Sequence, residues 1–228
     1  MYSAADDVPF CRDRSKEINA MNVCIFGASN NKIPASCIDF AEKLGARLAE
    51  EDIGLVFGAG RTGLMGAAAR GAYSRGGRII GVIPKKLNVP GIYFEHCTER
   101  IETATMHERK ALMEHLSDAF VALSGGFGTL EELLEVITLK QLGYHEKPIV
   151  IVNIDGYYDS LIAQFRRCVQ DGFTDGLFLH LFAVVDSVDD AIRALLEPEK
   201  LPMPDKLESV LLSTRFGGET PPGLELSK

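Results

Sequence analysis

The sequence of 228 residues has no tryptophan and only 5 cysteines, none of them in a C-x-x-C pair. Cys11, Cys24, Cys37, Cys97 and Cys168 are odd in number, which argues against a disulfide framework and a zinc knuckle and predicts reduced, mostly buried thiols in a cytoplasmic protein. No stretch approaches the roughly 18 consecutive apolar residues of a membrane helix, so no membrane association is expected. The first residues carry two aspartates and no apolar run ahead of the basic residues, unlike a secretory signal. A dense Lys/Arg block is also missing. With 24 Lys+Arg against 32 Asp+Glu, net charge −8, the chain lacks the clustered cations that a nucleic acid polymer requires, although one mononucleotide is not excluded. The 5 histidines show no metal-ligand spacing, and in HERKA, residues 107–111, an alanine stands where H-E-x-x-H needs its second histidine. Neither a metal nor any other cofactor is implied.

What remains is a chain with 46% hydrophobic residues, able to bury a core and long enough for one large α/β domain. Short apolar, β-branched runs are predicted as strands at Asn22–Gly27, Ile53–Gly58, Arg78–Ile83, Ala119–Leu123, Pro148–Asn153 and Phe182–Asp186. Helical periodicity is predicted near Ala35–Glu50, Gly63–Arg75, Met106–Leu116, Thr129–Gly143, Tyr157–Asp171 and Val188–Leu196. Strands apolar at successive positions are buried on both faces, as in a parallel sheet between helix layers. The fold class expected is α/β: a single doubly wound, Rossmann-like domain over residues 21–200 with a mainly parallel sheet. A flexible N-terminal extension, 1–20, and a flexible C-terminal tail, 201–228, are expected to flank it. Ligands in such folds bind beyond the carboxyl ends of the strands.

Three glycine-rich turns fall at those ends. Gly58-Ala59-Gly60-Arg61-Thr62-Gly63 is literally G-x-G-x-x-G, but the acid expected about 20 residues later is missing, and the next strand runs into Lys85 and Lys86. A turn needed for tight packing, or a mononucleotide wall, is the favoured reading over dinucleotide binding. In Ser124-Gly125-Gly126-Phe127-Gly128-Thr129-Leu130-Glu131-Glu132, three glycines free the backbone to point several N–H groups one way. Thr129 is expected to cap the helix beginning there, with Glu131 and Glu132 in its first turn, where a carboxylate favours the dipole anyway. That dipole is worth only about 0.3–1 kcal/mol to an anion, so further phosphate contacts are needed. Gly27-Ala28-Ser29-Asn30-Asn31 either lines the same crevice or forms a plain Asx turn. Met106, Lys110 and Met113 share one side of a helix, with Arg109 and Arg100 as further cations. Taken alone, HERK reads as a solvated charged face.

Taken together, SGGFGTLEE, MHERK, GRTGLMG, GVIPKKL and QLGYHEKPIVIVNIDGYYDSLI resemble the LOG (Lonely Guy) family, whose members older descriptions label possible lysine decarboxylases. The resemblance runs from about Val23 to Leu196. It implies a phosphoribohydrolase that cleaves the N-glycosidic bond of a nucleoside 5′-monophosphate, cytokinin riboside 5′-monophosphate and/or AMP, to free base plus ribose 5-phosphate. It further implies that Gly126, Gly128 and Thr129 cradle the 5′-phosphate and that Arg109 and Glu132 are the catalytic pair. Met106, Lys110, Thr138, Gly125, Phe127, Glu131 and Ser29 would complete the substrate-binding set. A homodimer with active sites near the subunit interface is implied as well. Two positions depart from the family: Ser124 replaces the leading proline of P-G-G-x-G-T-x-x-E, and Gly91 stands where many relatives carry an acid. These departures motivate the alternative, a non-catalytic nucleotide-binding or carrier protein on the same fold. Lysine decarboxylation, which normally relies on pyridoxal phosphate, is a weak third.

The residue types suit glycosidic cleavage. Departure of the base develops positive charge on the ribose, which a carboxylate such as Glu132 stabilises, with activation of the attacking water as a further task. Arg109 is expected to position the ribose or base and to keep Glu132 ionised by proximity.

Overall fold

The structure is a computed structural model that describes residues 21–198. The segments 1–20 and 201–228, expected as flanks, and Cys11 lie outside the described residues. Seven strands form one sheet: β1 (Asn22–Phe26), β2 (Gly54–Phe57), β3 (Ile79–Pro84), β4 (Glu99–Thr103), β5 (Ala119–Ala122), β6 (Ile149–Val152) and β7 (Ala183–Val185). Their order is β4-β3-β2-β1-β5-β6-β7, and every pairing is parallel. Six strands were expected. The seventh, β4, reads ERIET, which lacks an apolar run because an edge strand pairs on one side only and buries little.

Among the described residues six α-helices flank the sheet, five between strands and the last after β7: α1 (Ala35–Glu50), α2 (Gly63–Ser74), α3 (Met106–Leu116), α4 (Phe127–Gln141), α5 (Asp159–Gln170) and α6 (Val188–Leu196). One layer, α1, α2 and α6, packs on Val23, Ile25, Leu55, Phe57, Val121 and Val150. The other, which includes α3 and α4, packs on Cys24, Phe26, Val56, Ile80, Phe120 and Ile151. Alternate residues of the central strands thus face opposite layers, which explains why both sets are apolar. Burial of each large aliphatic side chain contributes about 1.5–3 kcal/mol. Helices α1 and α2 meet backbone to backbone: a Cβ at Gly45 would lie 1.9 Å from the Ala68 carbonyl oxygen, and one at Gly71 equally close to that of Glu42.

Strand order reverses between β1 and β5. Their ends are tied by the Leu123 amide donating to the Phe26 carbonyl (2.9 Å) and the Ala28 amide to that of Ser124 (3.0 Å). This is the switch point at which doubly wound sheets open a crevice, and the turns at 27–31 and 124–129 both leave the sheet there.

Candidate active site

Helix α3 is held at its start by reciprocal bonds. The Thr105 hydroxyl accepts from the Glu108 amide (3.1 Å), and the Glu108 carboxylate accepts from the Ala104 amide (2.9 Å). This register turns Arg109 inward while His107 and Glu108 stay exposed, so HERK is a solvated face only in its first half. Arg109 is 8% exposed and its Nη2 lies 3.3 Å from Oε1 of Glu132, itself 8% exposed. Lys110 bonds the carboxylates of Glu131 and Glu135, the latter at 2.9 Å. Burial works against the charge of Lys110, but the two carboxylates prevail and raise its proton affinity.

The guanidinium of Arg109 lies over the end of β2. A Cβ at Gly58 would sit 2.0 Å from Nη2, so the first glycine of G-x-G-x-x-G provides the space that Arg109 fills. The last, Gly63, has φ +64°, and a Cβ there would lie 2.2 Å from the Ala28 carbonyl oxygen. The Thr62 hydroxyl donates to the Ser29 carbonyl (2.7 Å), and the Gly63 amide donates to Oδ1 of Asn31 (3.1 Å). These contacts give the motif a packing role, one of the two readings set above dinucleotide binding. The turn after β1 closes as an Asx turn, the Lys32 amide donating to Oδ1 of Asn30 at 2.8 Å, with Ser29 exposed beside it.

Helix α4 begins at Phe127, two residues earlier than expected. Its N-cap is Gly126, which has no side chain to cap with, so Thr129 does not cap the helix. Thr129 is instead buried inside the first turn, where a Cβ at Gly125 would lie 2.1 Å from its hydroxyl. Gly126, Phe127 and Gly128 are exposed, leaving the orphan N–H groups of the first turn open to an anion. The earlier start also places Glu131 and Glu132 in the second turn, where the dipole no longer accounts for them.

Glu132 holds its proton more tightly than an ordinary carboxylate. Burial is the largest cause and raises its pKa, Arg109 pulls it down, and Glu131 adds to the rise. Arg109 favours the ionised form of Glu132, as expected from its proximity, while desolvation outweighs it and makes the net shift upward. A carboxyl group poised in this way can exchange a proton with a bound molecule.

Met106, 46% exposed, lies one helical turn before Arg109, with Sδ 4.0 Å from Nη1. Thr138 is exposed and bonds the Leu134 carbonyl; it lies about 9 Å along α4 from Glu132, so the chain does not bring it to the pair. Arg100, thought to border the crevice, lies over the Tyr93 ring, 3.8 Å from its centroid.

Sequence reasoning missed two participants. One is Gly58 as the seat of Arg109. The other is Tyr157, whose hydroxyl donates to the Gly125 carbonyl at 2.6 Å and holds the turn, while Tyr158 bonds the Leu123 carbonyl at 2.7 Å. Both tyrosines precede α5, which starts at Asp159 and not at Tyr157. The contacts span 32 and 35 residues, and no local pattern encodes them. Among the described residues, no group of three or more His, Cys, Asp or Glu is placed to hold a metal ion. A cleft of about 560 Å³ along β7 and α6 is lined by neither Arg109, Glu132 nor the turn at 124–129, and lies at the far edge of the sheet.

Fold and site together define a doubly wound α/β protein in which an exposed glycine turn opens at a helix start on the strand that also leads to a buried carboxylate–guanidinium pair. The family model described as possible lysine decarboxylase matches residues 65–195. Over 173 residues the chain is 42% identical to the Arabidopsis thaliana protein named cytokinin riboside 5′-monophosphate phosphoribohydrolase LOG1, covering 76% of this chain and 81% of that protein. Against LOG7 of the same plant, identity is 42% over 191 residues, 83% of this chain and 87% of the relative. The chain belongs to the LOG family. Among solved structures, the molybdenum cofactor binding protein of Rippkaea orientalis shares the fold, with TM-score 0.61, 19% identity and coverage of 86% of this chain and 99% of that one.

Proposed function

We propose that this protein hydrolyses the N-glycosidic bond of nucleoside 5′-monophosphates, a cytokinin riboside 5′-monophosphate and/or AMP, to free base and ribose 5-phosphate. The observation that carries the reading is the buried Arg109–Glu132 pair beside the open turn at Gly126–Gly128. The phosphate rests on the amides of that turn with Thr129 beneath, and this remote contact orients the ribose over the pair. As the bond from C1′ to the base nitrogen breaks, Glu132 stabilises the positive charge on the ribose. Its raised proton affinity lets it take a proton from the attacking water; the hydroxyl adds to C1′, and that same proton passes on to the departing base nitrogen, which returns Glu132 to its carboxylate form. Arg109 positions the reacting carboxylate.

Relatives at 42% identity named as phosphoribohydrolases support this reading over the carrier alternative. Likeness at 19% identity to a cofactor-binding protein speaks for the fold alone. The test is to incubate the protein with AMP and with isopentenyladenosine monophosphate and follow free base by chromatography. Wild type should release base, and Glu132→Gln should lower the rate at least about a thousandfold while retaining binding. Ribose 5-phosphate released by Glu132→Gln at the wild-type rate would overturn the assignment.

We propose a homodimer as well: Leu134 on α4 and Leu142 at its C-cap are 41% and 49% exposed and, four residues to either side of Thr138, give a stripe for a second copy to cover. Light scattering should report twice the chain mass at micromolar concentration. No helix among the described residues is long and apolar enough to cross a membrane, and free thiols at Cys24, Cys37, Cys97 and Cys168 suit the reducing cytoplasm in which we place the protein.

A further inference from the structure

Four buried side-chain polar atoms among the described residues have no hydrogen-bond partner: Asn22 Oδ1, Asn88 Oδ1, Arg109 Nε and Ser124 Oγ. Arg109 and Ser124 belong to the crevice at the switch point. Buried polar groups are nearly always paired, and an orphan at the mouth of a binding site marks a group whose partner arrives with the ligand. We infer that the Ser124 hydroxyl is a substrate contact that donates a hydrogen bond to a phosphate oxygen of the bound nucleotide. The inference rests on the function proposed above and adds a residue that the family's proline could not provide.

Several observations converge on Ser124. It is 9% exposed and is the first residue of the turn that receives the anion. Its neighbours in that turn are already engaged: the Ser124 carbonyl accepts from the Ala28 amide, the Gly125 carbonyl accepts from Tyr157, and the Thr129 side chain packs against Gly125. Besides the exposed first-turn amides, the Ser124 hydroxyl is the buried side-chain group of this turn without a partner. Along β5, Val121 and Leu123 face the α1–α2 layer while Phe120 and Ala122 face the layer of α3 and α4. Alternation therefore carries residue 124 to the side of the sheet on which Arg109 and Glu132 lie. A hydroxyl suits an anionic oxygen because it can rotate its single proton onto whichever acceptor arrives. A neutral nucleoside, lacking the phosphate, would gain nothing from it.

The test compares wild type with Ser124→Ala, which removes the hydroxyl, and Ser124→Thr, which retains one. Thermal midpoints without ligand are followed by calorimetric titration with ribose 5-phosphate and with adenosine, and by kcat/KM for AMP. Ser124→Ala should melt no lower than wild type, since an orphaned polar atom has been removed, yet bind ribose 5-phosphate about tenfold or more weakly. Its KM for AMP should rise by a similar factor with kcat little changed, and adenosine binding should be unaffected. Ser124→Thr should restore most of the ribose 5-phosphate affinity. Unchanged ribose 5-phosphate affinity in Ser124→Ala would overturn the inference, as would equal losses for ribose 5-phosphate and adenosine, or a lowered midpoint. Those results leave the hydrolase reading standing. A wild-type protein that neither binds ribose 5-phosphate nor cleaves AMP would overturn both.

Discussion

Gly58→Ala tests whether the seat of Arg109 matters to chemistry without altering any group that carries charge. The added Cβ would lie 2.0 Å from Nη2, whereas ordinary contact begins at 3.4 Å, so the guanidinium must withdraw by 3.4 − 2.0 = 1.4 Å. Gly58 has no positive φ, so alanine is not strained there, and the clashing atom is the far end of a flexible side chain. The backbone should therefore stay in place and the thermal midpoint should change by no more than a few degrees. The 3.3 Å contact between Nη2 and Glu132 should open, and a misplacement of about 1 Å at a reacting group costs on the order of a hundredfold in rate. Withdrawing Arg109 also weakens the larger of the two causes that lower the Glu132 pKa, Arg109 and Lys110, so the acidic limb of kcat/KM should move to higher pH. The assay is kcat/KM for free-base release from AMP between pH 4.5 and 8, with melting followed by circular dichroism. A variant within twofold of wild type at every pH would show that the position of Arg109 is immaterial, and the reasoning would fail.

Two more expectations follow from the same contacts. Tyr157→Phe removes the 2.6 Å bond to the Gly125 carbonyl and should raise KM for the monophosphate about fivefold with a smaller effect on kcat, corresponding to roughly 1 kcal/mol; steady-state kinetics will show whether it does. Stability should also depend on pH through His145, whose Nε2 bonds the Val136 carbonyl and whose Nδ1 accepts from the Lys147 amide. Burial, with Lys147 assisting, lowers its pKa from 6.5 to about 4. The unfolded chain then binds this proton at a higher pH than the folded one, so the contribution is complete above pH 6.5 and is lost as pH falls through 4. That interval sets a ceiling of about 3 kcal/mol, which partial exposure reduces to about 1–2 kcal/mol. Urea midpoints between pH 7.5 and 4.5 should fall more steeply for wild type than for His145→Gln; equal slopes would refute this.

The parallel sheet and its helix layers were legible because strands buried on both faces need unbroken apolar runs, as in Val23–Phe26 and Ile149–Val152. The glycine turn whose first-turn amides stay exposed was legible too, since several amides can point one way only where glycines are dense, as at residues 125–128. What local sequence does not record is distance between segments. β4 was missed because an edge strand requires no apolar run, and residue pattern alone reads HERK as a solvated helix face, so Arg109 entered the site only through the family resemblance. Only the packed chain decided that Gly58, 51 positions before Arg109, makes room for its guanidinium, that Tyr157 holds Gly125, and that burial outweighs Arg109 in setting the proton affinity of Glu132. Residue type and spacing determined which groups the protein could use. Their solvation and their neighbours across the sheet are properties of the assembled core, and no single segment contains them.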